Sequence, residues 1–208
     1  VSTAEEVDMI RQHKPTQLIT AETTPQHLLL EAPHIYNEMG AFAQMNPPIR
    51  EKYHQDALWE GLFDGTINCI ATDHAPHTLS EKKLPYGQAP SGMPGVETSL
   101  TLMLNEVSNQ KATINNIVQW MCENPVKAYK IKNKGFVKPG FDADLTIVDM
   151  NKKKTILNDN MKTKCGWSAF HGVETTGWPI TTIVLGHIVY DNEKLNLDIR
   201  GKKVKLDS

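Results

Sequence analysis

Asp73 and His77 stand four residues apart in Asp73-His74-Ala75-Pro76-His77, directly after the run Ile67 to Thr72. A carboxylate and two imidazoles where a strand gives way to a loop suit metal-assisted hydrolysis. The carboxylate can ligate zinc through one oxygen and take a proton from metal-bound water. The same spacing also fits a loop-capping Asp beside a partly exposed His. Glu22 and His27 could be taken for metal ligands, but a strand-end Glu and a loop His read more simply as hydrogen-bonded scaffold. His13, His34, His54, His171 and His187 have no partners in sequence and read as surface or packing residues. Cys69, Cys122 and Cys165 are odd in number and form no CxxC, which argues against a disulfide framework or a cysteine zinc site and fits a reducing cytoplasm.

The elements that must position these groups alternate between helix and strand. Ser2-Thr3-Ala4-Glu5 has capping-box spacing, Val7 and Ile10 share a helix face, and Pro15 stops the helix. Gln17 to Glu22 reads as a strand covered on both faces, as in a parallel sheet, and Thr24-Pro25 ends it. Prolines 47 and 48 mark a loop. Glu51 to Asp64 then carries Tyr53, Ala57, Leu58 and Leu62 at helical spacing before a Gly65 stop. A second buried strand, Ile67 to Thr72, leads to Asp73. This is the α/β pattern in which chemistry gathers at strand C-termini. Residues 78–95, rich in Pro and Gly, read as a long functional loop, and helices are expected over Val96 to Val107, Thr113 to Cys122 and Pro125 to Lys130. Beyond Gly135 the texture turns to strand and turn, with Phe136 to Asp149 and Thr181 to Tyr190 forming a small β module. Lys152-Lys153-Lys154 reads as solvated surface.

Composition narrows the functions. With 39% hydrophobic and 22% charged residues the 208-residue chain is globular, not disordered. A net charge of −2 without a basic, aromatic-studded stripe argues against nucleic acid. Apolar runs such as Ile180 to Val189 fall short of the roughly 20 residues a membrane span needs. The opening Val1-Ser2-Thr3 has neither initiator Met nor secretory features, so the chain is expected to be cytoplasmic and cut from something longer.

The string Ile70-Ala71-Thr72-Asp73-His74-Ala75-Pro76-His77-Thr78-Leu79-Ser80-Glu81-Lys82 resembles the second signature of dihydroorotases, Gly/Ala-Ser/Thr-Asp-x-Ala-Pro-His-x4-Lys, at every specified position. Thr20 to Leu28 resembles the family's seventh-strand motif, although the family often has His-His where this chain has Gln26-His27. Met45-Asn46-Pro47-Pro48-Ile49-Arg50 resembles a substrate-loop motif, Pro94 to Thr98 the start of the next helix, and the tail from Gly135 the family's C-terminal β-sandwich. The likeness covers nearly the whole chain.

The resemblance implies an α/β fold: the C-terminal part of a TIM-like (β/α)8 metal-dependent hydrolase barrel over residues 1–134, and a β-sandwich portion over 135–208. It implies that Asp73 is metal ligand and catalytic proton carrier. Asn46 and His77 would hold the substrate, with the backbone at Ser91 and Gly92 in further contact and His74 structural. Arg50 reads equally well as a third substrate group or as a solvated cation at a helix start, and it is left out of the site. The implied activity is reversible hydrolysis of dihydroorotate to N-carbamoyl-L-aspartate in pyrimidine synthesis, with two zinc ions in the complete enzyme. A barrel needs eight strands and about 250 residues, and the family's other metal ligands have no counterparts here. Val1-Ser2-Thr3 resembles the stretch just after the family's sixth-strand histidine. The isolated chain is therefore expected to be inactive without the rest of the barrel as partner; a homodimer is one assembly. Hydantoinase or allantoinase chemistry is the alternative within the enzyme class. Asn46 in its Pro-Pro loop together with Ala75-Pro76-His77 favours dihydroorotate over both. A non-catalytic subunit binding a transcarbamoylase is the alternative outside it, against which the intact Asp73 and His77 weigh.

Overall fold

The computed structural model describes residues 1–15 and 18–206. The chain is α/β, with elements in two compact units: Val1–Ser99 with Thr155–Val173, and Leu100–Lys154 with Glu174–Ser208. Among the described residues no helix is long and apolar enough to cross a membrane.

In the first unit α1 spans Ala4–His13. The capping box lies one residue later than the sequence suggested: Thr3 caps the helix and accepts from the Glu6 N–H, while the Glu6 carboxylate takes the Thr3 and Ser2 N–H groups. Both Ser2/Glu5 and Thr3/Glu6 satisfy the spacing, and Ser2 is lost to burial. Strand β1, Glu22–Thr23, pairs in parallel with β2, Cys69–Ile70, in the register Glu22 to Cys69 and Thr23 to Ile70. The parallel pairing is as expected, but β1 is shorter and later than the apolar run: Gln17 lies outside the described residues and Leu18 is fully exposed. Thr24 ends β1 and caps α2, Pro25–Leu29, with proline at the first helical position where its missing N–H costs nothing.

Helix α3, His34–Met39, leads through a short 3₁₀ turn to the Asn46 loop, and α4, Lys52–Phe63, comes next. Leu58 and Leu62 are buried while Tyr53 is exposed, and the Trp59 indole donates to the Leu28 carbonyl oxygen at 3.0 Å, tying α4 to α2. The expected loop 78–95 contains a helical turn, α5 (Leu79–Lys82), because Thr78 and Glu81 form a second capping box. Beneath the loops lies a core of Ile35, Ala43, Met45, Ile49, Met93, Cys165 and Trp167. Burying a side chain the size of Met45 stabilises by about 1.5 to 3 kcal/mol, enough to hold the adjacent Asn46 loop in place.

The second unit begins with most of α6, Ser99–Ser108, which starts three residues after the expected Val96. Then come α7, Ile114–Val118, capped by Thr113, a π turn at Gln119–Glu123, and α8, Asn124–Ala128, so the two expected helices run together. A four-stranded sheet completes the unit in the order β3 (Leu145–Thr155), β4 (Glu174–Val184), β5 (His187–Asp191), β6 (Lys194–Leu195). Strand β4 crosses α6 closely. Asn105 Oδ1 accepts from the Thr176 N–H at 2.9 Å, and Thr101 donates to the Gly177 carbonyl oxygen at 2.7 Å. The lysine run lies on β3. Lys153 is exposed, whereas Lys154 is half-buried, pairs with Glu193 at 2.7 Å and lies over the Trp178 ring.

Candidate functional site

Asp73 lies three residues beyond β2, exposed, with φ at +42°. This left-handed backbone is uncommon for residues other than Gly, Asn and Asp, and such outliers concentrate at functional sites. The next two residues fix it. His74 forms a parallel bridge with Met93, and the Ala75 N–H donates to the Met93 carbonyl oxygen at 3.0 Å. His74 Nδ1 accepts from the N–H groups of Gly95 and Val96 at 3.1 and 3.3 Å, so this histidine holds the next loop, as its structural reading expects. Among the described residues no hydrogen bond reaches the Asp73 carboxylate.

His77, Ser91 and Gly92 form one group. His77 Nε2 lies 3.1 Å from the Ser91 carbonyl oxygen. A carbonyl can only accept, so Nε2 carries the proton, and Nδ1 has no hydrogen-bond partner among the described residues. The Trp167 indole donates to the His77 carbonyl oxygen at 2.8 Å, and the Gly92 N–H donates to the Gln44 carbonyl oxygen at 2.9 Å, which brings the Asn46 loop alongside. Asn46 itself is exposed, two residues beyond Gln44, at a cis bond to Pro47.

His27 ties α2 to the Asn46 loop. It is 4% exposed; its Nε2 donates to the Pro47 carbonyl oxygen at 3.0 Å and its Nδ1 meets the Thr24 hydroxyl at 2.8 Å. Burial, the largest cause, pushes its pKa down, while the Pro47 bond and the Asp73 charge pull it up; the net direction is downward. The neutral ring is fully satisfied by scaffold, as the sequence suggested. Glu22 is exposed on β1.

A zinc site needs about three or four protein donors. Among the described residues no three His, Cys, Asp or Glu side chains come together as a metal site. Both nitrogens of His27, one of His74 and one of His77 are engaged by protein groups. The described residues alone therefore do not compose a zinc site, and Asp73 is an exposed carboxylate at the strand end beside the loops.

Sequence reasoning left three further side chains out of the site. Lys82 is fully buried, with Nζ bonded to three loop carbonyls. Gln26, also fully buried, donates to the Thr72 carbonyl oxygen at 3.4 Å, one residue before Asp73, and its Oε1 has no partner among the described residues. Arg50 is half-buried, and its Nε is buried without a partner among the described residues. The sequence signals among these were the fixed place of Lys82 at the end of the signature and that of Arg50 at the end of the substrate-loop motif.

The sequence pattern of the "Amidohydrolase family" matches residues 8–189. The chain is 40% identical over 205 residues to a dihydroorotase of Methanosarcina acetivorans, covering 94% of this chain and 44% of the relative. It is 39% identical over 196 residues to a dihydroorotase of Staphylococcus aureus, covering 93% and 46%. Among solved structures it superposes on the L-hydantoinase (dihydropyrimidinase) of Arthrobacter aurescens with a TM-score of 0.89 at 29% identity, covering 95% of this chain and 45% of that one. The dihydropyrimidinase of Brevibacillus agri gives 0.85 at 26% identity, covering 94% and 44%. The chain thus spans less than half the length of the curated relatives it matches.

Proposed function

The chain belongs to the amidohydrolase family, and from that premise we propose that it supplies part of the active site of a dihydroorotase. The reaction is the reversible hydrolysis of dihydroorotate to N-carbamoyl-L-aspartate, a cytoplasmic step of pyrimidine synthesis. The observation that carries this reading is the meeting of loops 44–46, 75–77 and 90–92 just beyond the strand end that bears Asp73. The identity to dihydroorotases supports the substrate.

In this reading residues 1–134 belong to a (β/α)8 barrel and 135–208 to a β-sandwich portion, with the barrel completed by residues other than these. Asp73 would be the one metal ligand contributed from this chain, toward two zinc ions in the complete enzyme. Hydrolysis adds water across the ring amide: the C–N bond breaks, the carbonyl carbon gains the hydroxyl, and the ring nitrogen gains a proton. Asp73 takes the proton from the attacking water and returns it to the departing nitrogen, and the reverse sequence closes the ring. Asn46 offers an amide donor to the substrate carboxylate. His77 presents Nδ1, and its ring plane is set by the Ser91 carbonyl. The main chain at Ser91 and Gly92 approaches the ligand without a side chain at Gly92 to bar it.

A substrate panel on the natural polypeptide that carries these residues tests the proposal. Turnover of dihydroorotate far above hydantoin and dihydrouracil is expected. Preference for hydantoin would transfer the assignment to the hydantoinase group, to which these structural neighbours belong. Absence of turnover, with a transcarbamoylase bound instead, would favour the non-catalytic subunit.

A further inference from the structure

Lys82 is 0% exposed although Glu81 and Lys83, its neighbours in sequence, face solvent. An ammonium taken out of water is costly unless its donors are met, and here all three N–H groups have a carbonyl acceptor. Nζ lies 3.0 Å from the Gln44 oxygen, 2.9 Å from that of Pro90 and 3.0 Å from that of Gly92. Each acceptor lies within two positions of a residue proposed to meet substrate: Gln44 precedes Asn46 by two positions, and Pro90 and Gly92 flank Ser91. With its neighbours' carbonyls drawn to Lys82, the Ser91 carbonyl is the one left for His77 Nε2, at 3.1 Å. Nζ also sits 5.9 Å from the centroid of the Trp167 ring, whose indole N–H donates to the His77 carbonyl oxygen.

We propose that Lys82 is a positioning residue of the substrate pocket. Its ammonium sets the spacing between the Asn46 loop and the Ser91-Gly92 loop and, through the Ser91 carbonyl, the orientation of the His77 ring. The substrate's identity in this proposal rests on the dihydroorotase reading; the loop clamp rests on geometry alone. A lysine kept only for bulk would be replaced without consequence by methionine, which fills similar space with no donor. Glutamine supplies two donors on a shorter stem and so restores part of the clamp.

Two measurements test it. In the full chain, amide hydrogen exchange at Gly92, bonded to Gln44, should speed by about tenfold or more in Lys82→Met and by less in Lys82→Gln, while α4 amides change by less than about twofold. An unchanged Gly92 amide, or equal acceleration throughout α4, overturns the clamp. In the natural polypeptide, Lys82→Met should raise KM for dihydroorotate about tenfold with kcat within about threefold, and Lys82→Gln should recover part of the KM. A fall in kcat at constant KM overturns the positioning role. If the wild type fails to turn over dihydroorotate, the dihydroorotase reading falls and the exchange result alone decides the clamp. If it turns over and Gly92 exchange is unaltered, the clamp falls alone.

Discussion

Gly92 passes so close to Ala75 that a Cβ built on it would stand 2.4 Å from the alanine Cβ, at a backbone φ of +134° that side chains avoid. The loop that carries Ser91 is thereby pressed against the loop that carries His77. Gly92→Ala should lower stability by about 2 to 4 kcal/mol, from backbone strain and overpacking together. Adding Ala75→Gly should recover about 1 kcal/mol or more by removing the contact while leaving the strain. Denaturant unfolding of the two variants checks this, and full recovery in the double variant would show that φ at this position carries no strain.

Asp73 tests the backbone separately from the chemistry. At φ +42° asparagine is tolerated, whereas alanine and valine are not. Asp73→Asn should match the wild type in thermal unfolding, and Asp73→Val should be less stable by about 1 to 2 kcal/mol. Equal stability of the two would mean the turn relaxes.

His27 gives the first unit an acid-sensitive element. Burial holds its folded pKa below the ordinary 6.5. Above that value both folded and unfolded states are neutral here, and this contribution to stability is complete. As pH falls from about 6.5 toward the folded pKa, the unfolded chain binds a proton that the folded chain refuses, so stability drops by up to about 1.4 kcal/mol per pH unit. His27→Gln keeps a donor for the Pro47 carbonyl and removes the titration. Its stability should depend less on pH below about 6.5 than that of the wild type; parallel curves would contradict the assignment.

Metal content is a direct consequence of the donor set. The isolated 208-residue chain, dialysed with zinc and then freed of excess, should retain well under one ion per chain, because a single carboxylate holds zinc weakly. Stoichiometric zinc in metal analysis would mean that donors converge in a way the described residues do not show.

Much of the fold was legible from residue order, and the failures have physical causes. The parallel pairing of β1 with β2, the helix over residues 52–63 and the strand-end place of Asp73 derive from short apolar runs, helical spacing and the Gly65 stop. The length of β1 was not legible, because apolar residues near a strand need not be in it: Leu18 is exposed. The capping box shifted because two overlapping Ser/Thr-to-Glu spacings compete, and the chain uses Thr3 with Glu6 while Ser2 is buried. Lys82 could not be read as buried, since its flanking residues are charged and its three acceptors come from residues eight to 38 positions away. The contact of His27 with Pro47 likewise spans 20 residues and has no local signature.

The central claim, that Asp73 carries the proton in ring opening and closure, is tested most directly by Asp73→Asn in the natural polypeptide that carries these residues. The readout is dihydroorotate hydrolysis, with binding measured on the same protein. The account predicts a loss of kcat of about 10³-fold or more, with dihydroorotate still bound and the fold intact. Near-wild-type turnover by a correctly folded Asp73→Asn protein would contradict it.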